Sequence, residues 1–77
     1  MKDVSFDYSK LRGRIRESVG SEKNFANRMN MSQQALSSRL NNKTEFADHE
    51  IYKGAEVLEI GKCEIGDYFF TPKVQKI

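Results

Sequence analysis

At 77 residues, 38% of them hydrophobic and 31% charged, the chain is sized for one domain (1–77) with a thin core. No apolar run approaches a membrane span and the N-terminus lacks a signal-type apolar stretch, which predicts a soluble, cytoplasmic protein with no membrane partner. The net charge of +2 hides a gradient: nine Lys/Arg face four acids from Met1 to Lys43, whereas four Lys face seven acids from Thr44 to Ile77, so a basic half suited to a polyanion precedes an acidic one that would face away from it.

Residues 1–7 show no strong periodicity and read as a loose lead-in. Asp7 can cap a first helix, along which Leu11, Ile15 and Val19 recur every fourth residue, and Gly20 is placed to stop it. Ser21 offers the N-cap of a second helix and Glu22 suits its positive end; Phe25, Ala26 and Met29 form a narrow apolar stripe. Ser32 can cap a third helix with Leu36 and Leu40 on its apolar side, after which "NNKTEF" breaks the pattern. A fourth helix runs from about Asp48 to Ile60, with Ile51, Ala55 and Leu58 facing inward and Gly61 just past its end. Gly54 weakens that helix by up to ~1 kcal/mol relative to Ala, which predicts a close helix contact there. A short fifth helix around Cys63–Phe69 turns Ile65 and Phe69 inward, and Pro72 keeps it from continuing far. Cys63 has no second cysteine to pair with and reads as a small core or boundary residue; His49 is likewise alone, so no metal site is expected. The pattern is that of an all-α, compact bundle of about five helices with an extended C-terminal tail from about residue 71.

The stretch "NFANRMNMSQQALSSRLNNK" raises the question of a helix-turn-helix. Such a motif, here about residues 21–41, needs a small residue where its helices cross, a tight turn, and a second helix with a free outer face. Ala26 supplies the first. Asn30 can take the left-handed conformation in place of glycine, and Met31 is the apolar plug after it. With Leu36 and Leu40 facing in, Gln34, Ser37, Ser38 and Asn41 fall on the opposite side, with Gln33 at the N-terminal tip. All are uncharged hydrogen-bonders, and no acid occurs from Ser32 to Lys43; Gln can pair bidentately with adenine. These five residues are the candidate base contacts. Candidate phosphate contacts are Ser21, Glu22 and Lys23 at the start of the second helix, Asn42, Lys43 and Thr44 after the third, and Arg14 on the first.

The segment "EKNFANRMNMSQQALSSRLNNKTEF" resembles the helix-turn-helix of lambda-repressor-like phage regulators of the Cro/CI group. The whole chain, from "DYSKLRGRI" to "EIGDYFFTPKVQKI", is similar to a small Cro-like family from phages of Gram-positive bacteria. That resemblance implies a lambda-repressor-like fold acting in the bacterial host cell, with Ala26 as the family's small residue, Asn30 in its usual glycine position, and Gln33 and Gln34 as its operator-reading glutamines. Where the family commonly has an apolar residue three positions after Leu36, this chain has Arg39 followed by Leu40; either the helix is rotated slightly or Arg39 lies along the DNA backbone as a further phosphate contact.

The function expected from these features is sequence-specific binding of a pseudo-palindromic double-stranded DNA operator by a Cro-like repressor. The alternative is a modulator of the anti-repressor or antitoxin type, using the same fold to grip a partner protein. No paired carboxylates, activated nucleophile or phosphate-cradling glycine loop suggests an enzyme, and neither a cofactor nor a small-molecule ligand is expected. Tyr68, Phe69 and Phe70 cannot all face one core, because neighbours on a helix lie ~100° apart. An exposed ring there, with Val74 and Ile77 in the tail, points to a homodimer that would set two recognition helices ~34–36 Å apart.

Overall fold

Several helix boundaries follow from local chemical signals. The computed structural model of the chain describes residues 5–72, and among them five α-helices account for the regular structure apart from one 3₁₀ turn and an isolated bridge. The helix α1 (Ser9–Val19) buries Leu11 and Ile15, leaving Val19 half-buried. Asp7 Oδ1 accepts the Ser9 N–H at 2.9 Å, and Gly20, at φ +95°, returns its N–H to Arg16 O. α2 (Glu22–Arg28) is capped by Ser21 Oγ, which accepts the Asn24 N–H at 3.1 Å, and α3 (Gln33–Leu40) by Ser32 Oγ, which accepts the Ala35 N–H at 3.0 Å. α4 (Asp48–Val57) begins at Ala47, whose N–H donates to Glu50 Oε1 at 2.9 Å. A 3₁₀ turn (Lys62–Glu64) leads into α5 (Ile65–Phe69). None of these helices is long and apolar enough to cross a membrane.

α4 ends sooner than its apolar spacing suggests. Glu59 takes the left-handed conformation at φ 57° and the Ile60 N–H closes on Ala55 O at 2.8 Å; Gly61 is extended and plays no part in the stop. Arg14 takes up the carbonyls left at that end. Its guanidinium donates from Nε and Nη2 to Leu58 O (3.1 and 2.9 Å) and from Nη2 to Glu59 O (3.3 Å), so a cation from α1 serves the carbonyl end of α4.

The core is built from Leu11, Ile15, Phe25, Leu36, Leu58 and Phe69, all fully buried. Gly54 is the close contact anticipated for it: a Cβ there would meet Phe25 Cζ at 3.3 Å and Phe69 Cζ at 3.4 Å. The lead-in, by contrast, is pinned rather than loose over residues 5–7. Phe6 forms the antiparallel bridge with Pro72, and the Asp7 N–H donates to Thr71 O at 2.8 Å. The Phe6 and Tyr8 rings join an aromatic cluster in which Phe6 meets Phe70 edge-on at 5.8 Å, Tyr8 meets Phe46 at 5.6 Å, and Phe46 meets Phe69 at 5.4 Å. Burial, with the nearby Glu45 charge, pushes the Tyr8 phenol above its ordinary pKa. Cys63 is exposed instead of lying in the core or at its boundary, because the 3₁₀ turn that carries it buries none of its residues.

Candidate functional site

The α2–α3 hairpin is set by its backbone. Asn30 is left-handed at φ 58°, where glycine would otherwise stand, and the Met31 N–H reaches back to Ala26 O at 3.0 Å. Ala26 is buried at the crossing and the half-buried Met31 packs against the core, so both helices are fixed to the body of the domain. Because Leu36 and Leu40 are drawn inward, the opposite side of α3 faces solvent. Gln33, Gln34, Ser37 and Asn41 are exposed there and Ser38 is half-buried.

Of these five, Asn41 is already engaged, donating to Ser37 Oγ at 3.3 Å and accepting from Arg12 Nη2 at 3.0 Å. Arg12 also donates from Nη2 to Leu40 O at 3.3 Å and pairs with Glu22 Oε2 at 2.6 Å, tying α1 to the start of α2 and the end of α3. Gln33 and Gln34, with Ser37 whose Oγ also accepts from Asn41, thus form the open part of the face, a strip of neutral donors and acceptors.

The candidate phosphate contacts fare differently. Arg14 is occupied at the end of α4, as described above, and is withdrawn from any outward role. Arg39 lies neither along an outer edge nor in an apolar slot. It makes a bidentate pair with Glu50 (Nε to Oε1 2.8 Å, Nη2 to Oε2 3.1 Å), and its Nη1 donates to Ala35 O at 2.9 Å. This pair, with side chains only 18% and 12% exposed, locks α3 to α4. Burial alone would raise the Glu50 carboxyl, but the Arg39 hydrogen bonds, the Ala47 N–H and the charges of Arg39 and His49 outweigh it and hold the group below its ordinary value.

Glu22 is taken by Arg12, and Ser21 by the Asn24 amide that would otherwise point outward. Asn42, left-handed at φ 63°, turns its amide on the lead-in, accepting the Phe6 N–H at 3.0 Å and donating to Phe6 O at 2.9 Å. The Lys43 and Thr44 amides both close on Ser38 O. The Lys23, Lys43 and Thr44 side chains remain at the surface.

The tail aromatics separate. Phe69 is in the protomer's own core and so cannot furnish a dimer interface; Tyr68 is half-buried, with Lys10 Nζ 4.9 Å from its ring centroid; Phe70 is 48% exposed. Val74 and Ile77, the remaining candidates for that interface, lie outside the described residues. Unanticipated from the sequence is Tyr52, 63% exposed on the outer side of α4. The one signal for it was its place immediately after Ile51, out of register with the inward Ile51–Ala55–Leu58 stripe.

Comparison with known proteins bears on what this arrangement does. A family model described as Protein of unknown function (DUF739) matches residues 4–72. None of the curated proteins matches the chain. Among solved structures, the solution structure of the modulator of repression (MOR) of the temperate bacteriophage TP901-1 from Lactococcus lactis is similar to it, with 44% identity and a TM-score of 0.78. That match covers 92% of this chain and 96% of the other. It overturns the operator-occupying, DNA-reading repressor expected from Gln33 and Gln34, since so similar a chain is a modulator of repression. Exposed glutamines can pair with bases, yet a neutral hydrogen-bonding strip serves a protein surface equally well.

Proposed function

The chain belongs to the family described as Protein of unknown function (DUF739), and we propose that it acts as a small phage regulatory protein that binds and modulates a repressor protein. The likeness to the TP901-1 modulator, 44% identical over 92% of this chain, carries the reading. Part of the basic charge is also unavailable to DNA. Holding phosphates takes outward cations, and Arg12, Arg14 and Arg39 are each spent on intramolecular partners. Beside the exposed Lys23 and Arg28 of α2, the hairpin offers outward the neutral Gln33, Gln34 and Ser37, and these three are the proposed partner contacts. In this reading the hairpin keeps a Cro/CI-type architecture, with Asn30 at the turn and Ala26 at the crossing, while its outer face is given to a protein.

The test is titration calorimetry of the full chain against a repressor from the phage that carries its gene, and separately against duplex DNA holding that repressor's operator. The repressor should bind and the DNA should not. Gln34→Ala should weaken the complex by about ten-fold, the effect of losing one central contact. Sequence-specific binding of the DNA by the chain alone, with no repressor complex, would overturn the proposal.

A further inference from the structure

The acidic half of the chain carries a surface that the hairpin does not use. Tyr52 and Phe70, the exposed large hydrophobic residues among the described ones, line a single notch between α4 and the end of α5. Ile51 and Ile65 form its floor and Asp48, at the first turn of α4, its remaining wall. Its volume is about 160 Å³, and an apolar cavity of ~150 Å³ accepts a guest the size of benzene. A second, smaller hollow shares Ile51 and Phe70 with it and is walled by Glu45. The charged residues lining the two hollows are therefore both acids. From Thr44 to Pro72 seven acids stand against two lysines, Lys53 and Lys62.

We infer that this notch is a docking site for a basic protein segment that inserts one apolar side chain between Tyr52 and Phe70, with its Lys or Arg neighbours facing Asp48 and the surrounding acids. The apolar floor supplies affinity by burial, and the acidic field supplies encounter rate and selects against acidic segments. A DNA-binding repressor must display such a basic surface to hold phosphates. Assigning the occupant to that class rests on the modulator reading, while the notch itself does not. The site is separate from the α3 strip: its walls come from α4, α5 and Phe70, and Gln33, Gln34 and Ser37 take no part in them.

The experiment is a ¹⁵N NMR titration of the full chain with a synthetic peptide of lysines and arginines around one central leucine. Controls are the same peptide with serine in the centre and one with glutamates replacing the cations. The leucine peptide should shift the amides of Asp48, Tyr52, Ile65 and Phe70 and leave those of Gln33 and Gln34 in place, and it should weaken with added salt. Tyr52→Ala should reduce its affinity about ten-fold, as for a typical interface aromatic, and Asp48→Asn should reduce the salt dependence. Tyr52 is exposed enough that its replacement leaves the core untouched.

Equal binding of the acidic peptide, indifference to the central residue, or shifts confined to α3 would overturn the inference. So would concentration-dependent self-association abolished by Tyr52→Ala, which would make a second copy the occupant. The repressor complex provides the separating arm. Peptide docking at the notch without any repressor complex leaves the notch standing and removes the modulator reading. A repressor complex weakened by Gln34→Ala but indifferent to Tyr52→Ala and Asp48→Asn does the reverse.

Discussion

Glu50→Ala puts the Arg39–Glu50 lock to the test. The substitution removes both carboxylate bonds from a guanidinium that is 18% exposed and leaves it with Ala35 O as its remaining partner. It also removes the acceptor of the Ala47 N–H at the start of α4. Breaking a buried pair by deleting one partner costs about 3–5 kcal/mol, and the residual exposure here lets water reach the stranded charge, which places the loss at the low end. With the lost cap included, the expected destabilisation is about 3 kcal/mol, against a total near 4–11 kcal/mol for a domain this size. Thermal unfolding followed by circular dichroism should show Tm falling by roughly 12–24 °C. Replacing both members together (Arg39→Met with Glu50→Leu) should recover most of that, because no charge is left unpaired. The pair also predicts a pH dependence. The folded Glu50 carboxyl is held below its ordinary value, so its contribution is complete above the unfolded pKa, about 4.3, and disappears as pH falls through the folded one. In Glu50→Gln that acid limb should be flatter. A loss below about 0.5 kcal/mol in Glu50→Ala, the size of an ordinary surface change, would refute the lock.

Two further outcomes test the packing. Gly13→Ala, in open space on α1, should stabilise the domain by about 0.5–1 kcal/mol through helix propensity, whereas Gly54→Ala should lose about 1 kcal/mol net, since its Cβ would press on the tips of two fully buried rings; urea unfolding of both variants compares the signs directly. Asn42→Ala should cost about 2–3 kcal/mol by the same measurement, because it removes both bonds to Phe6 and places an alanine at φ 63°.

What the sequence discloses is largely what neighbouring residues decide. Ser21 and Ser32 cap the helices they precede and Asn30 makes the turn, because each acts within a few positions of itself; Gly54 shows only because a glycine inside a helix is costly, and the rings it admits, Phe25 and Phe69, are distant in the chain. The contacts that escape are between residues far apart along the chain. A count of nine basic residues in the first part cannot say that Arg14 is spent on Leu58 O, Arg12 on Glu22 and Arg39 on Glu50. For these three arginines a basic count does not translate into a surface for a polyanion. Arg39 is the sharpest case: it departs from an apolar pattern because its partner on α4 makes a polar group acceptable there. The choice of partner was not legible either, since the same hairpin can serve DNA or a protein and only the site's chemistry separates them.

The clasp at Asn42 has a kinetic consequence. Its amide holds Phe6, and the neighbouring Asp7 holds Thr71, so the two ends of the described chain meet beside the exit from α3. The α2–α3 hairpin closes over a few residues, whereas this junction closes a loop of almost the whole chain and bears the larger ordering entropy. On that ground it is expected to form after the hairpin, which stopped-flow folding of Asn42→Ala would check. Loosening it speeds unfolding while leaving the folding rate nearly unchanged. The lifetime of the native state is then set at its ends, by the clasp of Asn42 on Phe6 and of Asp7 on Thr71.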